Sequence, residues 1–226
     1  MHRLSALALA ALCSGCTAAA QYRPWPQATL EQPESITVGF NQRRGSSYIS
    51  PLTGRRRPGD NLEQQLIAAI EGAQREVLMA VQELTLPAIA NALIERHRAG
   101  VSVKLVLENS YSAPWSRQHP AGLEPRQQQR LRRLQNLGWS DAIALLESAG
   151  VPMLDDTADG SAGSGLMHHK FVVIDRQRVL TGSANFTSSG LHGDAGLNGS
   201  RGNVNHLLQL ESPQLREQEQ ISPPSP

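Results

Sequence analysis

The sequence predicts an α/β fold, a mostly parallel mixed sheet with helices on both faces. Two observations carry this. Hydrophobic residues make up 39% of the 226 but aromatic residues only 4%. The core is therefore built from Leu, Ile, Val and Ala, which favours strands alternating with helices over an aromatic-rich sandwich. The second is order along the chain: apolar strand-like runs are separated by helical segments with start and stop signals. That β-α-β-α-β succession implies parallel neighbours with helices on the sheet.

The elements follow from local signals. SITVGF (35–40) reads as a strand. DNLEQQLIAAIEGAQ opens a helix with Asp60 as cap and Glu63 three residues later, and Leu62, Leu66, Ile67 and Ile70 form its buried stripe. EVLMAVQEL (76–84) is a continuous apolar run, as expected of a strand covered on both faces. PAIANALIERHRAG is a helix with Pro87 in its first turn and Gly100 at its C-terminal cap. VSVKLVLEN (101–109) is the next strand, and an insertion (110–139) follows. SDAIALLESAG is a second capped helix, from Ser140 to Gly150. VPMLD is a strand, a Gly/Ser/Asp loop leads to a further apolar run at 171–174, and RVLTGSANF and NVNHLLQLES complete the pattern.

Residues 1–20 have a basic start, a short apolar run and a small-residue exit, the build of an export signal too short for a membrane-spanning helix. Two exits compete. CSGC resembles the bacterial lipoprotein box, with Cys16 as the lipid-bearing residue, although Cys13 stands where that box prefers Leu; AAAQ offers cleavage after Ala20. The chain is therefore expected to be exported: periplasmic, secreted or anchored to a membrane through Cys16. Both cysteines lie in this segment, so no disulfide is expected. Residues 21–34 read as a Pro- and Gln-rich linker, and 214–226 as a polar, Pro-rich tail.

Removing the signal takes away Arg3 and no acid, leaving 20 basic and 20 acidic side chains. Anion binding then has to come from local patches. Residues 42–57 carry five arginines and no acid, and 117–133 carry five arginines against Glu124. Such runs are ordinarily solvated faces, and they gain meaning only beside a site for a phosphate-bearing substrate.

HHKFVVID (168–175) gathers two of the seven histidines with Lys170, which shares the chain with only one other lysine, Lys104. Alternation along a strand puts His168 and Lys170 on one face and His169 and Phe171 on the other. Asp175 has the opposite parity and is suited to holding a loop or a neighbouring helix. In TGSANF, Gly182 permits close backbone approach, while Ser183 and Asn185 alternate onto one face. Hydroxyl, carboxamide and ammonium make a donor set for phosphate oxygens, and the histidine beside them is a candidate nucleophile toward phosphorus. No acid or cysteine stands at ligand spacing, which argues against zinc.

The spacing of His168, Lys170, Asp175, Gly182, Ser183 and Asn185 resembles the HKD signature of the phospholipase D superfamily. The resemblance extends over the domain at 35–213 and implies that family's α-β-α sandwich. It also implies a phosphodiesterase in which His168 attacks phosphorus to form a phosphohistidine and Lys170, Ser183 and Asn185 hold the phosphate. Asp175 belongs to the catalytic signature as a supporting residue, and no metal or other cofactor is required. With one motif copy, the chain is similar to the short exported bacterial nucleases of the superfamily. In these, two identical chains pair to complete one site, so a homodimer is implied.

Two features depart from the family pattern. Asn205 and His206 stand where a Glu followed by Asn is usual, and an amide stabilises imidazolium less than a carboxylate does. The tail offers only Leu215 and Ile221 where a packed helix is usual. Three functions stay open: a nuclease, which the arginine patches favour; a phospholipase D acting on phospholipid head groups; and a binding protein without turnover.

Overall fold

The computed structural model describes residues 35–159, 165–193 and 203–212. The expected signal with Cys16, the linker and the tail lie outside the described residues. Within them the chain forms strands β1 (Ser35–Phe40), β2 (Ser47–Ile49) and β3 (Arg56–Pro58), then helix α1 (Leu62–Glu71) and strand β4 (Glu76–Val81). Helix α2 (Pro87–Arg98), strand β5 (Ser102–Leu107) and helices α3 (Pro125–Asn136) and α4 (Ala142–Ser148) follow. Strands β6 (Met153–Asp155), β7 (Lys170–Ile174), β8 (Arg178–Gly182) and β9 (His206–Glu211) complete the fold.

Seven strands make one mixed sheet in the order β1-β9-β8-β7-β4-β5-β6. Only β4–β5 and β5–β6 pair in parallel; the junctions from β4 to β7 and onward to β1 are antiparallel. The parallel part is therefore smaller than the helix–strand alternation implies. The reason is local: β7 and β8 are joined by the tight turn at 175–177, and so short a link permits only antiparallel pairing.

Leu62, Leu66 and Ile70 of α1, Ile89 and Leu93 of α2, and Ile143 and Leu146 of α4 bury in one cluster. Val77, Met79 and Val81 of β4, Val103, Leu105 and Leu107 of β5, and Val172 and Ile174 of β7 join them. Those strand positions share a parity, so the three helices cover one face of the sheet. Leu78, Ala80, Phe171 and Val173 point to the other face and are half-buried, while Ile36, Val38, Val106 and Leu154 are exposed there. The fold is the mixed α/β sheet flanked by helices that the sequence predicts. Helix α3 builds a separate cluster, in which Leu131 and Leu134 pack on Trp115.

Two local expectations change. Helix α1 is capped by Asn61, whose side chain accepts from the Gln64 amide at 3.1 Å. Asp60 accepts instead from the Phe40 amide and is ion-paired with Arg43 at 2.8 Å. The arginine-rich segment is not a bare loop, because β2 and β3 pair as a hairpin within it. A buried chain of polar groups ties that hairpin to the body. Tyr48 Oη of β2 lies 2.8 Å from His192 Nδ1, and His192 Nε2 lies 2.7 Å from Glu63 Oε2 of α1. His192 is fully buried, so both ring nitrogens require partners and both have them.

Candidate active site

The site is built at one end of β7, where β4 also ends. Lys170 is the first residue of β7 and pairs in register with Val81, the last residue of β4. The ladder runs one step further, with the Gln82 amide donating to the His169 carbonyl at 2.9 Å. This fixes 168–170 as extended chain ahead of β7. The parity reading holds within β7: Lys170, Val172 and Ile174 are buried, while Phe171 and Val173 are half-buried. His169 packs edge-on against Phe171, their ring centroids 5.5 Å apart, as side chains two apart on one face do.

Lys170 is only 7% exposed. Its ammonium donates to the His168 carbonyl at 3.0 Å and to Gln82 Oε1 at 3.2 Å. Burial pushes its pKa below the usual lysine value. Asn185 Nδ2 donates to the same Gln82 oxygen at 3.2 Å. The two residues that the spacing grouped are thereby held at one point by a residue it did not single out. Gln82 is buried at the end of an apolar run, where its letter alone reads as one more strand position. His168, by contrast, is exposed, and among the described residues its ring has no hydrogen-bond partner. The ammonium thus touches the His168 backbone, while the exposed imidazole carries no protein partner among the described residues.

Ser183 belongs to a neighbouring group. Its hydroxyl lies 2.8 Å from Asn205 Oδ1, and Asn205 Nδ2 donates to the Gly190 carbonyl at 2.9 Å. That second bond fixes which end of the Asn205 amide faces Ser183, so the serine proton goes to Asn205. Ser183 Oγ also accepts from the His206 amide at 3.3 Å. In this arrangement Ser183 presents an acceptor-rich oxygen, not the free donor expected from its spacing. Asn205 itself is held by Asn41, fully buried in the body, whose Oδ1 accepts from the Asn205 backbone N–H at 2.8 Å. The departure from the family pattern therefore has a definite consequence: Asn205 engages Ser183 and makes no hydrogen bond to His168.

Gly182 is required by packing. A Cβ there would lie 2.2 Å from the His206 carbonyl oxygen of β9, so close strand pairing excludes any side chain at this position.

Asp175 is not brought into the cluster. It lies at the other end of β7, about 20 Å of extended chain from His168 at ~3.3 Å per residue. Its carboxylate accepts from the amides of Gln74, Arg75 and Glu76 at 2.9, 2.7 and 2.9 Å. Burial works against its ionisation, but those amides and the Arg75 charge outweigh it and hold the carboxyl below its ordinary pKa. Asp175 thus clamps the turn between α1 and β4, the loop-holding role its parity suggested. Among the described residues, no group of three or more His, Cys, Asp or Glu side chains stands at metal-binding spacing. No helix among them is long and apolar enough to cross a membrane.

Two convergent donors next in the chain to an exposed histidine, at the end of the sheet's central strands, make an arrangement suited to phosphoryl chemistry. The profile of the family described as cardiolipin synthase, PLD-like domain, matches residues 66–220. The chain belongs to this family of phospholipase D-like domains. It is similar to the mitochondrial cardiolipin hydrolases of Xenopus laevis, 33% identical over 57% of this chain and 47% of that one, and of Homo sapiens, 25% identical over 59% and 41%. The chain spans about half the length, or less, of these relatives. Among solved structures it is similar to Nuc of Salmonella typhimurium, at 22% identity and a TM-score of 0.47 over 82% of this chain and 88% of that one. NucT from Helicobacter pylori is similar at 18% identity and a TM-score of 0.46 over 82% and 92%.

Proposed function

We propose that the chain is a phosphodiesterase and that the domain at 35–213 carries the activity. The observation that supports it best is the convergence of the Lys170 and Asn185 donors on one point, with Lys170 also bonded to the backbone of the exposed His168. In this reading a ring nitrogen of His168 attacks phosphorus while the leaving oxygen departs with a proton from His168 of a second copy. Water then breaks the P–N bond, and the second histidine takes the proton that water releases. Products are an alcohol, a phosphomonoester and both histidines in their starting states. One chain supplies one such histidine, so a two-fold homodimer is part of the proposal.

The substrate reading leans to nucleic acid. Among the described residues the guanidinium groups of Arg44 and Arg55, exposed at the β2–β3 hairpin, have no hydrogen-bond or ion-pair partner, and that of exposed Arg56 bonds only Ser47. No acid lies within 42–57. A polyanionic backbone fits such a surface. A second reading is a phospholipid head group. Leu166 and Val204, close in sequence to His168 and Asn205, are 62% and 68% exposed, and the relatives above are named for cardiolipin. In either case we propose that the chain is exported, with Cys16 as the candidate lipid anchor.

The test offers the full chain single-stranded DNA, structured RNA and cardiolipin vesicles, all in EDTA. Cleavage of nucleic acid is expected to survive EDTA, with log affinity falling against log salt by about 0.7 for each phosphate neutralised. Release of phosphatidic acid from the vesicles would establish the second reading. Binding without turnover on all three would contradict both.

A further inference from the structure

Gln82 has no part in the HKD signature, yet it stands at the centre of the donor cluster. It is 8% exposed, and its backbone is pinned by the His169 carbonyl. Its Oε1 is a single acceptor shared by an ammonium and a carboxamide, each 3.2 Å away. Both contacts lie at the long end of the ordinary N–H···O range, about 2.7–3.2 Å. A charged phosphate oxygen would draw the ammonium to about 2.7–2.9 Å and bind the neutral carboxamide roughly twice as strongly as an amide oxygen does. The neighbouring Asn185 Oδ1 is buried without a partner, a sign that this pocket's hydrogen bonding is incomplete as it stands.

We infer that Gln82 is a positioning residue whose Oε1 stands in for a substrate phosphate oxygen between Lys170 and Asn185, and that phosphate binding displaces it. The inference rests on the reading of Lys170 and Asn185 as phosphate-holding groups. Two consequences follow from the chemistry. In the free protein the amide keeps two donors aimed at one point, so they need little rearrangement when the anion arrives. A neutral stand-in can also be displaced, whereas a carboxylate there would hold Lys170 in a buried ion pair. The adjacent Glu83 carries that charge and makes a part-buried ion pair with Arg130 at 2.6 Å.

The experiment compares wild type with Gln82→Glu and Gln82→Met in the full chain. Inorganic phosphate is titrated by calorimetry, and kcat and KM are read on bis(p-nitrophenyl) phosphate. Glutamate keeps the shape and competes with the anion, so phosphate affinity is expected to fall at least about tenfold and KM to rise, with kcat less affected. Methionine keeps the size and removes the acceptor, leaving Lys170 short of a partner that phosphate can supply, so affinity is expected to rise about three- to tenfold. A merely structural residue would weaken binding in both variants; that result, or no change in either, overturns the inference. Should the methionine variant fail to fold, the glutamate variant decides alone through its split between KM and kcat. If wild type turns over, His168→Ala does not, and both Gln82 variants match wild type, the inference fails while the phosphodiesterase reading stands. A wild type that binds no phosphate at millimolar concentration and turns nothing over removes both.

Discussion

Replacing His168 with alanine is expected to lower turnover at least about 1000-fold, because the proposed nucleophile is lost. The same change is expected to leave the melting temperature nearly untouched. The ring is exposed and unbonded, and substitutions at such positions usually change stability by no more than about 0.5 kcal/mol. The combination separates a reacting group from a structural one. A variant that loses activity by unfolding would betray itself in the thermal scan. Turnover of bis(p-nitrophenyl) phosphate close to the wild-type rate would show that His168 is not the nucleophile.

Asp175→Ala is expected to do the opposite, costing stability while sparing chemistry. The carboxylate satisfies three backbone amides of one turn, and its own backbone has a positive φ of 52°. Aspartate tolerates that region better than alanine does. Losing the partially solvated clamp and adding backbone strain should together cost about 1–3 kcal/mol, a fall in melting temperature of roughly 3–9 °C. The pH dependence has a definite sign. The folded carboxyl is held below its ordinary value of 3.8, so its contribution is fully present above that value and is lost as pH falls through the folded pKa. The stability gap between wild type and Asp175→Ala should therefore narrow in acid. Thermal scans from pH 7 down to the acid limit of folding check this. Activity measured well below the melting point should be nearly unchanged, and a collapse of kcat with stability intact would place Asp175 in the chemistry after all.

The contrast between these two residues shows what a sequence can and cannot disclose about such a site. Fixed spacing within β7 and β8 carries real geometric content, because strand parity decides which side chains share a face. Lys170, His168 and Asp175 were separable on that ground alone. Apolar runs also located β1, β4 and β5, and the 3.6-residue helical period located the buried Leu62, Leu66 and Ile70 of α1. It cannot say where an amide at a strand end will reach once a second strand pairs beside it. Gln82 and Lys170 are 88 positions apart, and only the antiparallel register of β4 on β7 brings them together. The same holds for Ser183 and Asn205, joined by the pairing of β8 with β9, and for Glu63, His192 and Tyr48. The cap of α1 was misplaced by one residue because Arg43, distant in sequence, draws Asp60 away. The sheet's antiparallel part was underestimated because helix–strand alternation describes only its first half.

In the proposed mechanism His168 becomes covalently phosphorylated during turnover. The direct measurement is to mix the full chain with a substrate carrying radiolabelled phosphate, quench within milliseconds in alkali, and follow label on the protein. Wild type is expected to carry a label that resists alkali, is released by mild acid, maps to His168, and is absent from His168→Ala. Product formed by an active wild type that never carries the label, with water attacking phosphorus in one step, would contradict it.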